Sequence, residues 1–172
     1  MFFADTGTAC IWLARHITGG RNRRLFGSFS WASMANAAPD AFGAQLAYPG
    51  CQTIALTGDG GFTMLGLGDL LTQVQRKTPV VQIILNNGSL DFVNIEQQEA
   101  GIIPFGVEFK NPDFNRGGPV VVDAVADPFA LSLPSHVPFH TAKGFTLSMA
   151  KQVWKGKMDD VIKTIERNVR LV

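Results

Sequence analysis

Charge, cysteine and long apolar runs are all scarce in this sequence. Only 17% of its 172 residues are charged and the net charge is +1. The one basic cluster, Arg21-Asn22-Arg23-Arg24, reads as a solvated turn, so the electrostatic footprint of a nucleic-acid binder is absent. The two cysteines, Cys10 and Cys51, have neither metal nor redox spacing, which implies idle or buried thiols in a reducing compartment rather than a disulfide. His136 and His140 are four apart, but Pro138 between them argues against the helix that would aim both at one metal. His16, at a segment end, reads as a surface or capping residue. No run of 18 apolar residues offers a membrane span, and Asp5 interrupts the opening apolar run too soon for a secretory signal. The expected location is the cytoplasm.

What the chain has instead is apolar content and glycine. At 46% hydrophobic it can bury a sizeable core, and its length suits one domain. Its 18 glycines and 9 prolines gather at strand ends and loops, as in an α/β enzyme. The informative stretch runs from Thr53 to Phe92. A β-branched run, Thr53 to Thr57, ends in Gly58-Asp59-Gly60-Gly61. A helix opening near Phe62 follows, with Met64, Leu67, Leu71 and Val74 on one side, and then a strand from Val80 to Leu85 that ends in Asn86-Asn87. Such strand-helix-strand units are right-handed, so both strands lie parallel and their carboxyl ends share one edge of the sheet. Asp59 and Asn86 therefore become neighbours at the edge where open α/β sheets bind ligands. Gly58, Gly60 and Gly61 are expected to take positive φ and let the backbone approach an anion at the helix N-terminus. A carboxylate and an amide oxygen beside a phosphate are the hard donors that magnesium takes.

A Gly-Asp-Gly closing one strand and an Asn-Asn closing the next resemble the binding motif of thiamine diphosphate enzymes. Within that family the chain is most similar to bacterial pyruvate oxidase, also called pyruvate dehydrogenase (quinone). Gly27-Ser-Phe, Ser33-Met34-Ala-Asn, Gly58 to Met64, Asn111-Pro-Asp-Phe114 and Lys143-Gly-Phe all carry the likeness. The resemblance implies a three-layer α/β domain with a mainly parallel sheet flanked by helices. It also implies magnesium held by Asp59, Asn86 and the main-chain carbonyl of Gly88, and a diphosphate site formed by Asp59, Gly60, Gly61, Asn86, Asn87, Gly88, Ser89, Leu90, Asp91 and Phe92. Main-chain groups around Ala32 and Ser33 would hold the aminopyrimidine ring, with Met34 as the wedge that keeps the cofactor bent. Trp31 and Ala32 stand where the family commonly has small or polar residues. Phe92 and Glu96 would line the substrate pocket, and Glu96 could relay a proton if burial raised its pKa.

Taken in order, Met1 to Ala4 is an expected strand, Asp5-Thr-Gly7 a turn at the ligand edge, Thr8 to His16 a short helix or turn, and Leu25 to Gly27 a strand. Ala35 to Ala47 is an expected helix whose Pro39 sits in the first turn or makes a kink. A start so close to a buried strand suggests preceding sequence. By resemblance that sequence is a pyrimidine-binding domain and an FAD-holding domain, so FAD has no site in this chain. Near 115–117 a family segment of roughly 35 to 40 residues is missing by typical element lengths, which leaves the sheet edge exposed or rearranged. Residues 1–127 are then the cofactor-binding α/β domain and 128–172 a carboxyl-terminal extension with helices over Thr141 to Trp154 and Lys157 to Val169. In the last helix Val161, Ile162, Ile165 and Val169 form an apolar stripe, apart from Lys163, Arg167 and Arg170. That stripe suits core or partner packing, or peripheral contact with the inner face of the membrane.

Three functions follow from the resemblance. The first is the thiamine diphosphate- and magnesium-binding domain of an enzyme that oxidatively decarboxylates pyruvate, a 2-keto acid, and passes electrons through FAD to quinone or oxygen. A homo-oligomer or a partner chain would supply the pyrimidine domain. The second is a catalytically silent remnant or cofactor-binding subunit. The third is an acetolactate synthase or 2-keto acid decarboxylase domain. The chain alone is expected to be inactive.

Overall fold

The computed structural model describes residues 1–114, 121–131 and 137–168. The missing segment expected near 115–117, and also His136, Val169 and Arg170, fall outside them. The chain divides into two units, residues 1–88 with 110–126, and residues 89–109 with 127–172. No helix among the described residues is long and apolar enough to cross a membrane.

The first unit is an all-parallel sheet with strand order β2-β1-β3-β4-β5. Its strands are β1 (Phe2–Ala4), β2 (Leu25–Gly27), β3 (Thr53–Gly58), β4 (Val80–Asn86) and β5 (Val121–Val125). The helices α1 (Thr8–His16) and α2 (Ala37–Ala47) make the first crossovers. Between β3 and β4, a turn of helix α3 (Asp59–Gly61) runs through a wide π-helical turn (Phe62–Gly66) into α4 (Leu67–Gln75). The chain leaves β1 toward β2 on one side and returns as β3 on the other. A crevice therefore opens at the carboxyl ends of β1 and β3, where strand order reverses.

Alternation explains the packing. In β3, Thr53, Ala55 and Thr57 are fully buried while their neighbours are only partly so. Phe3, Ala37, Ala41, Ala55 and Val80 make one core cluster, and Phe62, Leu70, Ile84 and Phe114 make the other. The small residues of α2 let it lie close to the sheet. Pro39 is its third residue, where no intrahelical N–H bond is lost. This helix starts at Ala37 rather than Ala35, because Ala35 takes a left-handed φ of 62°. Met64, Leu67, Leu71 and Val74 do share a side of the helical stretch, but that side is exposed. The face laid on the sheet carries Phe62, Gly66, Leu70 and Gln73. At the far edge β5 pairs directly with β4, Ile84 opposite Asp123, and Val122 stays half exposed. Among the described residues β5 is thus an edge strand of the sheet.

The second unit holds α5 (Asp91–Glu99), α6 (Phe139–Trp154) and α7 (Met158–Asn168) around Ile95, Leu131 and Phe145. The Lys143-Gly-Phe stretch is structural here. Phe145 enters the core, and a Cβ on Gly144 would overlap the carbonyl oxygen of Glu99, so only glycine lets α6 approach the end of α5. Ser148 Oγ and Lys151 Nζ then donate to the carbonyls of Ile102 and Gly101 at 2.7 and 2.8 Å. On α7, Val161 is buried, whereas Ile162 and Ile165 remain partly exposed.

Candidate functional site

Register brings the site together. Gly58 ends β3 opposite Leu85 of β4, so the next residue on each strand, Asp59 and Asn86, emerge side by side at the carboxyl edge. Asp59 is buried and held from several directions. Its Oδ1 accepts the Gly60 N–H at 2.9 Å, and its Oδ2 accepts those of Asn87 at 3.0 Å and Gly88 at 2.6 Å. The left-handed φ of Gly88, 68°, turns the chain there, a conformation glycine adopts without steric cost. Two successive amides aimed at one oxygen make a small nest that holds the carboxylate in place as their hydrogen-bond acceptor.

Asn111, just beyond residue 109 where the chain rejoins the first unit, completes the cluster. Its Nδ2 donates to Asp59 Oδ2 and to Asn86 Oδ1, both at 2.7 Å. One nitrogen thus sits within bonding distance of a carboxylate oxygen and an amide oxygen, in the corner where a cation would be held. On the opposite side Asn86 Nδ2 donates to Asp123 Oδ2 at 3.3 Å, which keeps the Asn86 oxygen facing Asn111. Among the described residues no three His, Cys, Asp or Glu side chains converge as a metal group. One carboxylate with amide oxygens is too weak a donor set for a dedicated all-protein site, but it fits magnesium completed by phosphate oxygens.

The glycines differ from expectation. Gly58 and Gly61 have ordinary negative φ, −77° and −63°, and Gly60 lies within α3, which opens at Asp59 rather than near Phe62 because Gly58 is already its extended cap. Their contribution is space. A Cβ on Gly58 would meet nothing within 4 Å, leaving room at the edge, while one on Gly61 would stand 2.8 Å from Asp5 Oδ2 and 3.4 Å from Ala35 N. The second predicted stretch therefore abuts the first. Ala32 and Ala35, at φ 48° and 62°, bracket Ser33-Met34 with two left-handed residues, strain that persists where the surroundings dictate the path. Ser33 N–H donates to Ser28 Oγ at 3.1 Å, and Met34 is partly exposed on a loop rather than in a helix. Trp31 points into solvent.

Asp5 follows β1 at the same crevice. Its Oδ1 accepts the Ala37 N–H at 2.9 Å, and its Oδ2 is buried with no partner among the described residues. Burial raises its pKa to about 6, against the lowering effect of the Ala37 and Asn36 amides and with a small push from Asp40.

The remaining predicted residues belong to the second unit. Ser89 is buried and bridges Glu108, Leu90 N–H donates to the Val107 carbonyl at 2.9 Å, Asp91 opens α5, and Phe92 is partly buried on its first turn. Glu96 is exposed on α5. Asn111, Asp123 and Asp5 were not among the expected site residues. The available signals were a carboxylate interrupting the valine run before β5 ends, an Asn-Pro pair after a strand-free stretch, and an Asp at a strand's carboxyl end.

Comparison with known proteins places the site in a family. Residues 5–123 match the family described as thiamine pyrophosphate enzyme, C-terminal TPP binding domain. The protein YdaP of Bacillus subtilis is 31% identical over 196 aligned positions, covering 95% of this chain and 33% of YdaP. Pyruvate oxidase of Lactiplantibacillus plantarum is 34% identical over 117 positions, 67% of this chain and 19% of the oxidase. Acetolactate synthase of Bacillus subtilis is 32% identical over 109 positions, 63% of this chain and 19% of the synthase. This chain spans a third or less of the length of these relatives. Since the matched residues run from Asp5 to Asp123 and enclose the whole Asp59 cluster, the chain belongs to the thiamine pyrophosphate enzyme family as a C-terminal TPP-binding domain.

Proposed function

We propose that this chain forms the diphosphate side of the catalytic centre of an enzyme that oxidatively decarboxylates pyruvate. The carrying observation is the convergence of Asp59 Oδ2 and Asn86 Oδ1 on one point, each 2.7 Å from the same nitrogen. In this reading Asp59, Asn86 and the Gly88 carbonyl hold magnesium, Gly60, Gly61 and Asn87 lie along the diphosphate, and the main chain at Ala32-Ser33 with the Met34 side chain receives the aminopyrimidine. Thiamine diphosphate, when bound, supplies the electron sink that lets a 2-keto acid lose carbon dioxide. The protein's part is position: Asp59 is fixed by three backbone amides before any ligand arrives.

Similarity to a pyruvate oxidase over two thirds of the chain supports pyruvate as substrate and oxidation as the outcome, with FAD held outside this chain. Met64, Leu65 and Leu71, all more than half exposed, suit a face covered by the pyrimidine domain of a partner or a second copy. Similarity to acetolactate synthases supports a second reading, in which the same site serves carbon-carbon bond formation. A silent, cofactor-binding subunit is the third. Calorimetry of thiamine diphosphate binding with and without magnesium tests the site, with Asp59→Ala as control. Magnesium-dependent binding lost in the variant is expected; equal binding by both proteins refutes the assignment. Purified chain alone is expected not to decarboxylate pyruvate with any added acceptor.

A further inference from the structure

We propose that Asn111 is an internal latch that competes with the divalent cation for the Asp59–Asn86 corner. The inference rests on the cation-site reading above and adds a regulatory element to it. Asn111 Nδ2 lies 2.7 Å from both Asp59 Oδ2 and Asn86 Oδ1. Magnesium bound to the same two oxygens sits about 2.1 Å from each, so it and the amide nitrogen claim the same space. The amide must swing out before the cation enters.

The orientation of Asn111 follows from what it faces. Turned around, its Oδ1 would meet two other oxygens with no proton between them, which only a cation could stabilise. With the nitrogen inward both amide protons are used, and Oδ1 is left buried with no partner among the described residues. The latch therefore closes the site at the cost of one unsatisfied acceptor, which favours its release once a cation competes.

Removing Asn111 would not collapse the corner. Asp59 keeps the Gly60, Asn87 and Gly88 amides, and Asn86 keeps Asp123. The two oxygen donors stay aimed, so the net effect of the side chain is occupancy rather than support.

The test is a titration of the full chain with Mn²⁺ followed by electron paramagnetic resonance, with and without thiamine diphosphate, in wild type, Asn111→Ala, Asn111→Ser and Asp59→Ala. Loss of two hydrogen bonds predicts about ten-fold tighter Mn²⁺ binding in Asn111→Ala. The serine variant, whose short side chain cannot span both oxygens, is expected to show the same change and serves where alanine does not fold. Adding Asp59→Ala to either variant should abolish the gain. Equal or weaker Mn²⁺ binding by both Asn111 variants, with Asp59→Ala still eliminating it, overturns the latch and leaves the cation site standing. Mn²⁺ binding that Asp59→Ala does not alter removes the cation site itself, and the latch with it.

Discussion

Asp5 and Gly61 meet across the crevice so closely that a single methyl would collide: the Cβ position of Gly61 lies 2.8 Å from Asp5 Oδ2. The carboxylate cannot retreat, because its other oxygen is held by the Ala37 amide. Gly61→Ala should therefore destabilise the chain. Overpacking costs about 1–3 kcal/mol, and the better helix propensity of alanine returns up to about 1 kcal/mol, which leaves a net loss of about 1–2 kcal/mol in urea unfolding. A double-mutant cycle separates the causes: in an Asp5→Ala background the same substitution should be neutral or stabilising. An unchanged cost there would mean that Ala35, not Asp5, sets the limit.

Asp5 also predicts a pH dependence. Its carboxyl titrates near 6 in the fold and near 3.8 when exposed, because burial disfavours the charge. Between those values the folded chain binds more protons than the unfolded one, so this residue's contribution to stability falls as pH rises through the window and is lowest above about pH 6. Asp5→Asn removes the charge and keeps an acceptor for the Ala37 amide. The variant should be more stable than wild type at pH 7, by about 3 kcal/mol at most, with the difference shrinking toward pH 4. A difference that is flat from pH 4 to 7 in urea titrations would disprove the buried-charge account.

How far the sequence foretold the site depended on whether a residue's role was local. Asp59 and Asn86 were legible because strand ends and a right-handed crossover suffice to make them neighbours. Asn111 was not, since its place depends on how the chain after α5 returns to the sheet, which no periodicity encodes. The side of α4 was legible as a stripe but not as exposed: spacing names residues that share a face, while burial is decided by which face meets the sheet. Phe62 and Leu70 win that contact, leaving Met64 and Leu71 outside. The turn at Gly60-Gly61 invited positive φ because glycine permits it, yet the structure uses Gly61, at an ordinary negative φ, for close approach to Asp5 and Ala35.

Gly144 offers the corresponding test in the second unit. Its added Cβ would meet backbone, the Glu99 carbonyl oxygen, which no side-chain rotation can clear. Gly144→Ala is expected to cost about 3 kcal/mol, the upper end of overpacking, and to raise amide exchange in α5 and α6 while that in β3 and β4 stays near wild type. Full protection of α5 and α6 in the variant would show that the two helices can separate without cost.

Asp123 is the positioning residue whose role can be separated from its charge. Asn86 can present either end of its amide, and the bond from Nδ2 to Asp123 Oδ2, 3.3 Å, selects the orientation in which Oδ1 faces the Asp59 corner. Groups that orient metal ligands typically matter about 10–100-fold in affinity. Asp123→Ala deletes the acceptor and should weaken Mn²⁺ binding by about ten-fold. Asp123→Asn deletes the charge but keeps an oxygen that can accept the same bond, so it should retain most of the affinity. If both variants lose affinity equally, with matching urea midpoints, Asp123 acts through its long-range field. If neither does, the Asn86 orientation is set by Asn111 alone, and the Asn111 variants should then bind Mn²⁺ more weakly instead of more tightly.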